Sequence, residues 1–390
     1  MFQGKYVFSQ LVSLIPKYEF NKCVKRYKGH YKVKSFLCWN QFLCMCFGQL
    51  TYRESLRDVV ICLNAHREKL HHLGIQSTVV RSTLAKANEK RDWHIYADLA
   101  HFLIREARKL YFDEDEFCLE LDNTVYALDS TTIDLCLSVF KWAKFRKKKG
   151  AIKLHTLLDI KGSIPTFIFI TDGKVHDVNV LDEIDFEAGA IYLMDRAYID
   201  FGRLNIMHEA RSYFVVMAKN NFQFRRLYSR KVDKTIGLKC DQVIKLTGKK
   251  SAEAFPEKLR RIKYFDKEYG VYYVFLTNNF EIEAKMVADL YKLRWQVELF
   301  FKWIKQHLKI KVFWGESPNA VKTQVWIAIA TYVLVAIAKK KFGLDQSLYE
   351  ILQILSVSAL DKTTVNELFS KEKSKIQREM DPNQLRMFDL

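Results

Sequence analysis

The sequence predicts a mixed α/β protein, with a sheet-based core between helical segments. Two observations carry this. Up to about residue 118, apolar residues recur at three-to-four spacing, the helical period. From Thr124 the texture turns to short β-rich runs separated by turn residues, and helical patterning returns after "VYYVFLTN". A chain of 390 residues that is 49% hydrophobic can bury more than one core, and its 5 Pro and 14 Gly leave little room for long disordered linkers.

In chain order, "FSQLVSLI", "SFLCWNQFLCMCFGQL", "YRESLRDVVICLNAH" and "WHIYADLAHFLIREARKLYF" read as helices. Thr51 is a candidate N-cap, with Glu54 three residues on as in a capping box. "STLAKANEKRDW" reads as a short helix and turn. "TVYALDS" (Thr124–Ser130) is a β-rich run ending in an acid. "AIKLHTLLDI" and "IPTFIFIT" form a hairpin turning at Lys161–Ser163. "NVLDEIDFE" is a helix, "AIYLMD" (Ala190–Asp195) a buried strand again ending in an acid, "FGRLNIMHEA" a helix and "YFVVMAK" a strand. That order gives a mixed sheet. From about Asn220 to Gly270, "FQFRRLYS", "DQVIKLTG" and "RRIKYFD" read as a β-rich insertion. "YKLRWQVELFFKWIKQHL" (Tyr291–Leu308), free of Gly and Pro, is one helix. "VWIAIATYVLVAIA" (Val325–Ala338), fourteen residues, is too short to span a bilayer and reads as a buried core helix.

The net charge of +18 is clustered. Met1–Lys34 holds eight Lys/Arg against one acid, Lys141–Lys153 seven against none, and Lys219–Gly270 fifteen against six. Three such clusters suit a polyanion-binding surface; solvated basic faces are the plainer alternative. An acidic membrane surface is a further option, but no segment is a clear basic amphipathic anchor. None of the eight Cys forms C-x-x-C, which argues against zinc, and several lie in apolar runs as buried free thiols do. That usage fits a reducing cytoplasm. The N-terminus lacks the apolar run and small-residue site of a signal peptide.

Two strands therefore end in Asp129 and Asp195, and acids at strand carboxyl ends sit where α/β sheets place ligands. On a continuous helix at about 100° per residue, Tyr291, Arg294, Glu298 and Lys305 fall within an arc of about 60° beside the apolar face. An exposed i,i+4 pair explains Arg294 with Glu298 but neither Tyr291 nor Lys305. Three carboxylates can hold two Mg²⁺ ions, about 3.5–4 Å apart, one activating water or a 3′-hydroxyl and the other stabilising the leaving 3′-oxygen. Arg294, Lys305 and Tyr291 would then meet DNA phosphate.

Y-x-x-R-x-x-x-E-x-x-x-x-x-x-K, matched by Tyr291, Arg294, Glu298 and Lys305, resembles the signature of bacterial DDE transposases of the fourth insertion-sequence family. "ALDSTTIDL" and "YLMDRAYID" look like the segments carrying that family's first and second catalytic Asp. The resemblance covers about 120–340 and implies a ribonuclease-H-like catalytic core interrupted by a β-rich insertion. It implies Asp129, Asp195 and Glu298 as catalytic metal ligands, Mg²⁺ (Mn²⁺ as substitute) as two-ion cofactor, and cut-and-paste action on double-stranded DNA. The DNA would comprise terminal inverted repeats and target, held by a homodimer on paired ends, often through a hairpin intermediate, in the bacterial cytoplasm and away from membranes. The expected segments are a helical DNA-binding domain (1–118), the core's first part (119–219), the basic insertion (220–272), the core's second part with the catalytic helix (273–345) and a helical C-terminal region (346–390).

Two departures stand out. Ala197 occupies a position where that family commonly has Gly. No Trp lies between Trp142 and Trp295 to stack a flipped base, a role left to Phe222, Phe224 or Tyr228. Lys147, Lys148 and Lys149 are expected to grip phosphate beside the catalytic strands. Arg196 either contacts phosphate or pairs with Asp200. His155 is either a core histidine or a neighbour of Asp129. The His176, Asp177 and Asn179 turn either caps a helix or flanks the site. Asp159, beside Lys161 and Gly162, belongs to a turn. Two other classes stay open: a non-catalytic DNA-binding regulator, and a Mg²⁺ nuclease that does not join strands.

Overall fold

The computed structural model describes residues 4–75, 77–112, 121, 123–135, 140, 142–146, 149–219, 221–307 and 313–370, without the side chains at 144–146, 149, 303, 306 and 307. Seven helices come first: α1 (Val7–Val12), α2 (Lys17–Arg26), α3 (Cys38–Leu50), α4 (Leu56–Ala65), α5 (Arg67–Leu70), α6 (Arg81–Lys90) and α7 (His94–Tyr111). Strands β1 (Val125–Leu135), β2 (Lys144–Arg146), β3 (Lys149–Asp159), β4 (Ile164–Asp172) and β5 (Ile191–Met194) follow. Next come α8 (Phe201–Glu209), β6 (Tyr213–Met217), β7 (Phe224–Arg230), β8 (Leu238–Leu246), α9 (Lys249–Ala254), β9 (Leu259–Asp266) and β10 (Val271–Thr277). Helices α10 (Ala284–Leu293), α11 (Trp295–His307), α12 (Pro318–Phe342) and α13 (Leu348–Ser358) close the order.

The chain divides into two compact units, Met1–Leu110 with Trp303–Leu390, and Tyr111–Lys302. Helix α12 falls in the first of these units, whereas the sequence reading places 273–345 with the core. This helix is apolar on every side, so it needs a complete shell of partners. It finds them in α1, α3, α6 and α13. It is also longer than the apolar run suggested: 25 residues, long and apolar enough to cross a membrane, with 94% of its most apolar window buried inside the protein. Ser317 caps its start ahead of Pro318, and Gly343 ends it in the left-handed conformation, φ 62°.

In the helical unit, Thr51 does not cap α4. Its hydroxyl donates back to Phe47 at the end of α3, and Ser55 accepts from the Asp58 N–H instead. The described cysteines, Cys23, Cys38, Cys44, Cys46, Cys62 and Cys240, are free thiols.

In the sheet unit, β4–β3–β1 run antiparallel and β1, β5 and β6 run parallel. This is a ribonuclease-H-like arrangement. Tyr126, Leu128, Tyr192, Met194, Phe214 and Val216 bury one face of it. The β-rich insertion is not a separate layer. β10 pairs antiparallel with β6, and β9, β8 and β7 follow in turn, extending the same sheet to ten strands among the described residues. Arg260, one of the insertion's many bases, serves the fold rather than a polyanion. It is 2% exposed and grips Asp241 with two parallel bonds of 2.9 and 2.8 Å. "NVLDEIDFE" forms a 3₁₀ segment, Asp177–Glu183, rather than an α-helix.

The hairpin turn between β3 and β4 falls at Lys161–Ser163, with Asp159 accepting the Lys161 N–H at 3.1 Å. Gly162 there has φ 68°, and a Cβ would meet the Tyr111 ring at 2.2 Å. Gly162→Ala therefore combines backbone strain with a clash. It should lower stability by roughly 2 kcal/mol, read as a drop in the denaturation midpoint at unchanged slope.

Candidate active site

Register places the first two acids. β1 and β5 pair in parallel up to Leu128 opposite Met194, so Asp129 and Asp195 are the residues that follow this last pair, Asp129 within β1 and Asp195 just past β5. Neighbouring strands are about 4.8 Å apart, which sets these carboxylates at one position along the sheet edge. The expectation that β1 ends at Ser130 is corrected. It continues to Leu135 against β3 alone, because Ile133 and Leu135 keep the alternation buried past the polar Ser-Thr-Thr. Asp129 thus lies mid-strand but at the end of the parallel pairing. Asp195 caps the short 3₁₀ turn Arg196–Tyr198 and accepts the Ala197 N–H at 2.7 Å. That turn is formed with Ala197, without the Gly.

Glu298 arrives on α11. The single helix expected over Tyr291–Leu308 is two, α10 and α11, meeting at Arg294. The Arg294 and Val297 N–H groups bond three residues back instead of four, a local 3₁₀ tightening. Arg294 keeps right-handed helical angles, so Tyr291, Arg294 and Glu298 stay on one side. The Arg294 guanidinium, 15% exposed, donates through Nη1 to Asp129 Oδ2 at 3.1 Å and through Nη2 to Glu298 Oε1. It bridges a strand and a helix that are 165 residues apart in sequence.

The electrostatics follow from this packing. Burial, reinforced by Glu298 and Asp195, pushes Asp129 up to about 6, against the opposing pull of the Ser130 N–H and Arg294. Burial pushes Tyr291 up to about 12, so its hydroxyl keeps its proton. That hydroxyl and Arg294 Nε are buried donors without acceptors in the structure. Among the described residues, no three His, Cys, Asp or Glu side chains form a ready-made cage for an ion. The donor chemistry nonetheless suits a divalent cation: two hard carboxylates, Asp129 and Glu298, already share one cationic group, the guanidinium, and Asp195 lies on the neighbouring chain segment.

Residues 120–334 match the family described as "Transposase DDE domain", more than half of the chain. The chain belongs to the DDE transposases of bacterial insertion sequences. Residues 3–76 match a domain of unknown function, DUF4372. Transposase y4zB of Sinorhizobium fredii is 33% identical over 66% of this chain and 71% of its own length. A transposase for insertion sequence element IS5377 of Geobacillus stearothermophilus is 27% identical over 65% of this chain and 66% of its own length. A piggyBac transposase solved as a synaptic complex with hairpin DNA aligns with 98% of this chain and 81% of its own at 11% identity and a TM-score of 0.43, too distant to carry an argument.

The transposase places its remaining site candidates unevenly. Arg196 is exposed beside Asp195. It touches Met217 Sδ at 3.7 Å, while Asp200 pairs with Arg203 instead. Lys305 is half-buried on α11, beyond the division between the units. Lys149 opens β3, while Lys147 and Lys148 lie outside the described residues. His155 is fully buried, its Nε2 lying 2.9 Å from Thr171 Oγ1, and burial pushes it down to about 4, so it is neutral. Sequence reasoning missed Ser130 and Lys153, which meet Asp177 beside Asp129. The one available signal was the alternation of Lys153 and His155 on an otherwise apolar strand.

Proposed function

We propose that this transposase binds the terminal inverted repeats of its element, cuts the DNA and joins the ends to target DNA, with Asp129, Asp195 and Glu298 holding two Mg²⁺ ions, Mn²⁺ substituting. The observation that carries the reading is the β1–β5 register, which sets two carboxylates side by side, with Glu298 tied to one of them through Arg294. The ions would supply Lewis-acid activation of the attacking hydroxyl and charge neutralisation at the leaving 3′-oxygen.

The protein's own groups have separable tasks. Tyr291 and Arg294 Nε, buried donors without acceptors, would take phosphate oxygens. With Asp129 and Glu298 engaged in holding an ion, the Arg294 guanidinium that now bonds both would be free to turn toward that phosphate. Arg196, exposed next to Asp195, and Lys305 and Lys147–Lys149 by sequence, would add positive charge along the backbone path. Away from the site, α2 buries Phe20, Cys23 and Val24 and leaves Lys17, Lys22, Lys25 and Arg26 exposed. Lys28 and Lys32 follow at φ 50° and 54°, conformations that Asn or Gly adopt more cheaply. Lysine at both positions supports a phosphate grip in the helical unit.

Phe222 and Phe224 stack at 4.9 Å, and Phe222 lines a cavity of about 260 Å³ with Phe201 and Lys219. These rings would receive a flipped base if a hairpin forms. A homodimer on paired ends, in the bacterial cytoplasm and away from membranes, completes the reading.

Glu298→Gln tests it. Duplex binding should persist, because Gln keeps shape and removes only charge. Metal-dependent nicking should fall by roughly 10³-fold, about 4 kcal/mol in transition-state free energy. Nicking at an undiminished rate would sink the assignment, and a strand-joining assay separates the transposase from a simple nuclease.

A further inference from the structure

A polar cluster stands directly behind Asp129. Ser130 is tied in two directions: its N–H donates to Asp129 Oδ1 at 2.8 Å, and its hydroxyl donates to Asp177 Oδ1 at 2.7 Å. The same Asp177 oxygen accepts from Lys153 Nζ at 3.0 Å, and Lys153 also donates to the Val175 carbonyl at 2.8 Å. Lys153 and His155 are two residues apart on β3 and so share a face, with His155 opposite Ser130 in register. His155 Nδ1 lies 3.9 Å from Asp177 Oδ1. The Tyr198 hydroxyl is also buried among these groups. The Lys153 side chain is 14% exposed, and Asp177 is its one carboxylate partner among the described residues.

We propose that Asp177 is a positioning residue for Asp129: through Ser130 it fixes the orientation of that carboxylate, and it neutralises the Lys153 ammonium beside the metal site. The physical case has two parts. A carboxylate that ligates a metal is held in place by its own hydrogen-bond partners, and loss of such outer partners weakens metal affinity by about 10- to 100-fold. A half-buried ammonium left without its partner repels a divalent cation nearby. The Ser130 tether carries the first effect and the Asp177 charge carries the second, so they can be separated. This inference rests on Asp129 being a metal ligand.

The test is titration of the metal-free, full-length protein with Mn²⁺, following the free ion by electron paramagnetic resonance, with melting curves as the folding control. Ser130→Ala should weaken binding about 3- to 10-fold. Asp177→Asn keeps the shape but not the charge and should weaken it about 10- to 100-fold. Adding Lys153→Met to Asp177→Asn should restore affinity to within about 3-fold of wild type, a rescue that a merely structural role does not give. A folded Asp177→Asn protein with wild-type Mn²⁺ affinity overturns the inference, as does a double variant no better than the single. If Asp177→Asn does not fold, Ser130→Ala decides, and unchanged affinity there overturns the tether. Asp129→Ala distinguishes the two levels. If it leaves Mn²⁺ binding intact, the metal-ligand reading itself fails; if it abolishes binding while Asp177→Asn does not weaken it, only the role of Asp177 fails.

Discussion

Asp129→Asn should abolish DNA cleavage, with a loss of roughly 10³-fold or more, and should at the same time make the metal-free protein more stable at pH 8. The two effects share one cause. Burial raises the folded-state value of Asp129 to about 6, well above the ordinary carboxylate value of 3.8. The folded state therefore binds this proton more tightly than the unfolded chain. The resulting stabilisation is fully present below the unfolded value and is lost as pH rises through about 6. Asn does not titrate, so the variant's advantage should open between about pH 4 and pH 6 and stay level above. Its size is at most roughly 1–3 kcal/mol, because some water reaches the site and Asn weakens the contact with Arg294. Melting curves at pH 4.5 and pH 8 would show it. Metal loading requires the ionised carboxylate, so the affinity of the wild-type protein should fall as pH drops below about 6.

Arg294→Gln is the second large effect, and its signs are opposite in two assays. The guanidinium bonds both Asp129 and Glu298, and in the proposed function it turns to a phosphate once DNA is bound. Its loss should reduce cleavage by roughly 10²-fold, as removal of a positioned donor does elsewhere. Without DNA, the same guanidinium competes with any cation for Asp129 and Glu298. The free variant should be less stable by about 1–3 kcal/mol, having two half-buried carboxylates without their counter-charge. It should also gain more melting temperature from Mg²⁺ than wild type does. An Mg²⁺ shift in the variant no larger than in wild type would rule out the competition. Arg294→Lys is not a neutral control, because an ammonium cannot span both carboxylates as the guanidinium fork does.

Much of the core was legible because its signals are local. "YLMD" is a short apolar run closed by an acid, "KGS" lies between two β-rich runs, and α8 has a plain helical pattern. These elements appear where their periods place them. What was hidden depends on partners distant in sequence. Nothing local says that β10 pairs with β6, so the basic insertion read as a module rather than as an extension of one sheet. The apolar pattern breaks at Ser-Thr-Thr after Asp129, and pairing with β3 keeps that segment extended. α12 is apolar all round, which demands burial but does not say in which unit. The helix carrying Glu298 showed its charged stripe, since periodicity alone fixes that. The guanidinium bridge to Asp129 needed the tertiary structure, and so did the convergence of Ser130, Lys153 and Asp177 behind it.

Anomalous diffraction from crystals of the DNA-bound protein soaked in Mn²⁺ tests the central claim most directly. The account predicts peaks against the carboxylates of Asp129, Asp195 and Glu298, with the Arg294 guanidinium withdrawn from between Asp129 and Glu298 onto a phosphate. Peaks elsewhere, or an Arg294 still bridging those two carboxylates with Mn²⁺ and DNA present, would contradict it.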